Sequence, residues 1–188
     1  MEVKQMNVLD LGTITLSERI VADDPCYDRT VFFMPDSISA KPGEYKVFVT
    51  RKDEGGCGVC TASIVIIHTG LIDEIKLDSA EWEFIRDLEG CSGQCGIFDN
   101  TIYPKIEEDF GDCSDPESFF GECCKITSGE TECGILKNQK GIVTTSGYCY
   151  GTYDLYSIKC SGENVAFMID YNLGNMKDIF TSIIESQM

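Results

Sequence analysis

The residues of this chain that could do chemistry are its cysteines, one histidine and a large excess of carboxylates. The cysteines number eleven, an odd count. Cys57-x2-Cys60 has zinc-knuckle spacing, and Cys91-x3-Cys95 could add a second pair of thiolates to complete a tetrahedral site. His68 cannot belong to that set. Residues 59–68 read as one continuous strand, so at ~3.3 Å per residue His68 lies about 26 Å from Cys60. The competing reading is that small thiols fill core and loop positions as apolar residues do, and Cys123-Cys124, on an expected helix, fit it. His68 shares a strand face with Cys60, Ala62, Ile64 and Ile66, the setting of a hydrogen-bonded, half-buried histidine at a strand end. Ser-His-Asp and Cys-His mechanisms would both run through that single residue, and both are set aside.

Carboxylates are plentiful. Glu107, Glu108, Asp109, Asp112, Asp115 and Glu117 put six acids into eleven residues, without the D-x-[DN]-x-[DN]-G order of a calcium loop. A solvated acidic loop feeding a helix amino terminus, where negative charge is favoured, accounts for them. No G-x-x-x-x-G-K-[ST] or G-x-G-x-x-G string occurs, so neither common phosphate cradle is present and no cofactor is expected.

Three polar strings stand at the ends of expected strands: Asp24-Pro25-Cys26-Tyr27, Ser92-Gly93-Gln94-Cys95-Gly96-Ile97-Phe98-Asp99, and Ser146-Gly147-Tyr148-Cys149-Tyr150-Gly151-Thr152-Tyr153. Glycines permit tight turns or close backbone approach, and loops held by a β scaffold are where binding groups usually sit. If the strings share a site, Asp24, Gln94, Asp99, Ser146 and Tyr153 surround one depression; otherwise they are turn chemistry. Asp24 and Asp99 could also serve as the carboxylate pair of a hydrolase, provided they are within reach of each other and titrate apart.

The elements that must position these residues are mainly strands. Residues 12–16 and 19–22 read as two short strands, the second ended by Asp23-Asp24-Pro25. Residues 45–50 alternate cleanly, 55–58 form a turn, and 59–67 are β-branched enough for a central strand. A weaker strand is expected at 73–77, while 78–88 suits either a helix capped by Asp78 or Ser79 or a strand. Asp115-Pro116-Glu117 predicts a helix over 116–125 whose inner face is Phe119, Phe120, Cys123 and Cys124. Strands follow at 132–136, 141–146, 152–160 and 165–171, the last two joined by a hairpin loop at 161–164. Met176, Ile179, Phe180, Ile183 and Ile184 recur at helical spacing, which predicts an amphipathic helix over 174–186 that docks on the chain's own sheet or on a partner subunit. The sum is a mainly β, antiparallel domain, a sandwich or partly open barrel with one internal helix and a C-terminal amphipathic helix.

With 188 residues, one domain spanning 1–188 is expected. Lys plus Arg number 15 against 32 Asp plus Glu, a net charge of -17. Nucleic-acid affinity depends on cations set against phosphates, and anionic membranes need polybasic segments, so both are excluded as partners. Protein or small-molecule partners, cationic or zwitterionic, remain. The first residues lack an apolar signal-peptide core and no run approaches the ~20 apolar residues of a membrane span, so a cytoplasmic location is expected, with reduced thiols and no disulfide framework.

In order along the chain, the segments beginning Gly12-Thr-Ile-Thr-Leu and Arg19-Ile-Val-Ala-Asp-Asp-Pro-Cys26, then Pro42-Gly43-x-Tyr45-x-Val47, Ser92-Gly-Gln-Cys-Gly-Ile-Phe-Asp99, Ser146-Gly-Tyr-Cys-Tyr-Gly-Thr-Tyr153 and Val165-Ala-Phe-Met-Ile-Asp-Tyr171 resemble the domain-of-unknown-function 4241 family of bacteria and their phages. The likeness covers residues 11–171 and leaves out the C-terminal helix. It implies a compact β-rich domain with no established activity. Two acids frequent in that family are replaced, one by Cys91 and one by Tyr150, so any acid-base or metal chemistry they perform in relatives is weakened or lost here. The expected function is therefore a non-catalytic cytoplasmic binding module, an accessory or defence-related protein of a bacterium or phage. The alternatives are the Asp24/Asp99 hydrolase and a zinc-stabilised interaction domain built on Cys57, Cys60, Cys91 and Cys95.

Overall fold

A strand whose side chains alternate offers one face to each of two layers, and the central hairpins are built that way. Tyr45, Val47, Val49, Ile64 and Ile66 turn into one buried cluster, while Phe48, Val65 and Ile67 turn into another on the opposite face. The computed structural model describes residues 6–26, 36–75, 81–90 and 92–187. Its strands are β1 (Asn7–Leu16), β2 (Arg19–Asp23), β3 (Ile38–Ser39), β4 (Gly43–Asp53), β5 (Val59–His68), β6 (Glu83–Gly90), β7 (Gln94–Asp99), β8 (Cys133–Ile135), β9 (Gly141–Thr145), β10 (Gly151–Cys160) and β11 (Glu163–Asp170). Two helices accompany them, α1 (Phe119–Thr127) and α2 (Met176–Ser186).

The strands form a six-stranded sheet in the order β1-β4-β5-β11-β10-β6 and a five-stranded sheet in the order β3-β2-β7-β9-β8. Every pairing is antiparallel. The sheets stack face to face as a sandwich, and the main core lies between them: Ile14, Leu16, Ile20 and Tyr45 meet Cys95, Ile97, Ile142, Phe167 and Ile169. A second layer covers each outer face. On the six-stranded sheet α2 buries Ile179, Phe180 and Ile183 against Phe48, Val65, Ile67 and Met168, contacts that stabilise by about 1.5–3 kcal/mol per buried side chain. On the five-stranded sheet Cys123 of α1 joins Tyr103 and Phe110 over Val21, Phe98 and Val143. Strands covered on both sides lose the polar half of their alternation, which is why β5 reads as a nearly unbroken run.

The C-terminal helix therefore docks on this chain's own sheet. Its start is fixed by Asn175, whose Oδ1 accepts from the Asp178 N–H at 2.9 Å while its Nδ2 donates to the Asp178 carboxylate at 2.7 Å. Three expectations need correction. The internal helix starts at Phe119, because Ser118 is the cap: its hydroxyl accepts from the Gly121 N–H at 3.0 Å. Asp115 instead closes the preceding turn, accepting the N–H groups of Glu117 and Ser118. The strand expected at 73–77 is absent from the part described: residues 69–74 coil into turns closed by Ile75 N–H to Leu71 C=O at 3.0 Å, and residues 76 and 77 lie outside the described residues. Residues 83–88 resolve as strand β6, with the alternative caps Asp78 and Ser79 outside the described residues. The string at 92–99 is not a strand-end loop but mostly strand β7, buried throughout. Gly96 marks a close approach, where a Cβ would collide with the Ile142 carbonyl and the Phe98 ring, rather than a turn.

Candidate functional site

At one end of the sandwich, the end of β2, the β6–β7 turn and the loop between β9 and β10 are tied together. Asp23 ends β2 opposite Gly96 of β7, and Asp24 beyond it is fully buried. The Asp24 carboxylate accepts from the Cys26 N–H at 2.8 Å, the Ser92 N–H at 2.6 Å and the Ser92 hydroxyl at 2.6 Å. Gln94 opens β7 opposite Thr145. The Ser146 N–H donates to the Gly93 carbonyl at 2.9 Å, and the Tyr153 hydroxyl donates to the Ser146 carbonyl at 3.2 Å. Four of the five residues singled out in the sequence, Asp24, Gln94, Ser146 and Tyr153, thus gather at this end.

They gather as struts, each at most 8% exposed. An open depression of about 410 Å³ between α1 and β8 is lined by residues including Lys125, Ile126, Thr131 and Ile135, and by none of the five. Gln94 is the exception to tidy pairing. Its Nε2 donates to Cys124 Sγ at 3.6 Å, while its Oε1 is buried with no hydrogen-bond partner among the described residues, an arrangement that costs about 1–3 kcal/mol until a donor reaches it.

Asp99 lies at the other end of β7. Ile20 is its cross-strand partner and Asp24 lies four residues beyond Ile20, so the Cα atoms of the two aspartates stand roughly 13 Å apart along the ladder. The two carboxylates are also committed to different turns, Asp24 to Cys26 and Ser92 and Asp99 to Ser17 and Thr101, so the Asp24/Asp99 hydrolase pair is not formed. Burial pushes the Asp99 carboxyl up, but hydrogen bonds from the Thr101 hydroxyl, the Ser17 N–H and the Thr101 N–H outweigh it and hold the group below the usual carboxylate range. It is an ionised anchor joining the β1–β2 turn to the turn after β7.

The four-cysteine set also comes apart. Cys57 is exposed and Cys60 half-buried at the β4–β5 turn, whereas Cys95 is enclosed between the sheets; Cys91 lies outside the described residues. Among the described residues no group of three or more His, Cys, Asp or Glu is placed to hold a metal ion. The ten described cysteines are free thiols, and burial pushes those of Cys95 and Cys123 far above the usual range. His68 is a strut: its Nδ1 accepts from the Gly70 N–H at 3.2 Å, and its Nε2 lies 3.3 Å from the Pro42 carbonyl.

What the sequence reading missed is the surface of the loop between β9 and β10. Tyr148 is 53% and Tyr150 75% exposed, yet the backbone beneath them is firmly set. The Cys149 N–H donates to the Ser146 carbonyl at 2.6 Å, the Ser146 hydroxyl to the Cys149 carbonyl at 2.7 Å, and the Tyr148 hydroxyl to Glu54 at 2.6 Å. The hydrogen bond to the Glu54 carboxylate pushes the Tyr148 phenol up to about 12, so it stays a donor at neutral pH. Gly147 at φ 40° and Cys149 at φ 80° occupy the left-handed region, and for Cys149 that is a strain of about 1–3 kcal/mol. Tyrosines flanked by glycines in Ser146-Gly147-Tyr148-Cys149-Tyr150-Gly151 were the available signal.

Among the described residues no helix is long and apolar enough to cross a membrane. No family model, no curated protein and no solved structure matches the chain, so its likeness to the domain-of-unknown-function 4241 family stands on the motifs alone.

Proposed function

We propose that this chain is a non-catalytic binding module that docks a protein partner on the loop between β9 and β10. The observation that carries the reading is the pair of exposed tyrosines on a strained, hydrogen-bonded loop. A rigid aromatic presented to solvent gains contact area at little entropic loss, and tyrosine is among the residues that dominate interface energies. The net charge of -17 makes the partner a cationic protein, drawn in by long-range attraction. Membership of the bacterial and phage family is part of the proposal, and the replacement of its two acids by Cys91 and Tyr150 supports a binding role over catalysis.

The test is affinity capture by the tagged full chain in its source cells, repeated with Tyr148→Ser/Tyr150→Ser. A protein retained by the parent, released by moderate salt and lost by the variant at unchanged melting temperature supports the reading. Retention of the same proteins by both chains, or of none by the parent, overturns it.

A further inference from the structure

The β9–β10 loop runs directly into a sheet face that α2 leaves bare. Tyr153 and Leu155 of β10 point into the core between the sheets, so alternation turns Asp154 and Tyr156 to the outer face, where Tyr156 borders the cluster under α2. Asp154 pairs in register with Asp87 of β6 on one side and with Asp170 of β11 on the other. Three carboxylates thus stand side by side across three strands, with Cα separations of about 4.5–5.5 Å.

Like charges directly opposite one another destabilise a sheet, and no ion pair among the described residues neutralises these. The six ion pairs among the described residues engage Glu163, Asp10, Glu132, Glu54, Glu117 and Glu83. Among the described residues, Asp154 receives only the Tyr156 hydroxyl at 2.9 Å, and Asp170, 6% exposed, the Asn172 N–H at 2.8 Å. Charged residues on an edge strand such as β6 can serve to block strand addition, but Asp154 and Asp170 sit on interior strands, where that role does not arise. Beside the row, a register shift in the β6–β10 ladder puts Phe84 opposite Tyr156. The two rings meet edge to face at 5.8 Å and 73°, and Phe84 remains 55% exposed.

An exposed aromatic face next to unpaired carboxylates selects a cation that also carries apolar surface. The row is not a metal centre, since no described group of acids is placed to hold an ion. We infer that this bare face of β6 and β10 docks a lysine- and arginine-bearing segment of the protein partner, seating a side-chain cation between Phe84 and the Asp87–Asp154 pair, with the buried Asp170 carboxylate behind them. The inference rests on the proposed binding of a cationic protein and names the chemistry of that contact. Charge complementarity commits it to a basic polypeptide, and guanidinium, which stacks on rings and pairs with carboxylates, suits the face best.

The experiment titrates the full chain with an oligoarginine peptide at physiological salt, by calorimetry and by backbone amide shifts. Binding should concentrate its shifts on β6 and β10. Asp87→Asn/Asp154→Asn should weaken it about fivefold or more, and Phe84→Ser about threefold. Glu108→Gln/Asp109→Asn, which removes the same charge elsewhere, should leave affinity within about twofold. Both acid pairs weakening the peptide equally, or shifts spread over the whole surface, would mean generic attraction and overturn the inference, as would no binding at all. The outcome is separable from the reading above. Loss of a captured partner by the tyrosine variant, with the peptide indifferent to β6 and β10, leaves the binding module standing and removes this face from it.

Discussion

Replacing Asp170 by asparagine should stabilise the protein, and only above the acid range. The side chain is buried, 6% exposed, with Asp154 directly across the ladder. Burial first, and then the Asp154 charge, pushes the Asp170 carboxyl above the usual carboxylate range despite the opposing hydrogen bond from the Asn172 N–H. A group whose pKa is raised by folding holds its proton more tightly in the native state. Its ionisation penalty is therefore absent below the unfolded-chain value of about 3.9 and present in full above the native one. Asparagine keeps an oxygen to accept from Asn172 and removes the charge. A directly opposed like-charge pair costs up to about 1 kcal/mol. That corresponds to a gain in melting temperature of roughly 2–4 °C for a chain of this size. Calorimetric melts across about pH 4 to 8 should show the variant melting higher at the alkaline end, with the gain shrinking to nothing on acidification. A variant no more stable than the parent near about pH 8, or equally favoured near about pH 4, would refute the claim that this carboxylate is held at a loss.

Asp99→Asn should do the opposite. Its pKa is lowered, so its contribution is present above the unfolded-chain value and fades as pH falls through the native one; urea unfolding near neutral pH should show a loss of about 1–3 kcal/mol that narrows in acid. Phe180→Ala empties a position where the ring stacks on Trp82 at 5.1 Å, and a loss of about 3–5 kcal/mol is expected from denaturant melts; no change in midpoint would mean α2 is not part of the core. Thiol titration should find Cys57 and Cys149, both exposed, reacting at once, with Cys95 and Cys123 silent until the chain unfolds. Fast labelling of Cys95 would show that the sheets do not close over it.

How much of this was legible in the sequence depended on whether local pattern and tertiary burial agreed. The β-branched run of β5, the hairpin of β10 and β11 and the helical spacing of Ile179, Phe180 and Ile183 each have a period that survives in the fold. Strand β7 was not legible as a strand. It is buried on both faces and carries Gly96 for close packing, so it has neither alternation nor bulk. That misreading also placed Asp99 beside Asp24, since a loop can fold its ends together and an extended strand cannot. Ser118 was overlooked as a cap because Asp115-Pro116 offers the stronger local signal three residues earlier. The row of Asp87, Asp154 and Asp170 leaves no trace in the sequence, because cross-strand register is set by pairing between distant segments.

The most direct measurement of the central claim is the affinity of the captured partner for the parent and for Tyr148→Ser/Tyr150→Ser, taken at one salt concentration with folding verified for both. Interface tyrosines that dominate binding contribute about 2 kcal/mol or more, so the variant should bind roughly 30-fold more weakly, mainly through faster dissociation. Equal affinities would contradict the assignment of this loop as the docking surface.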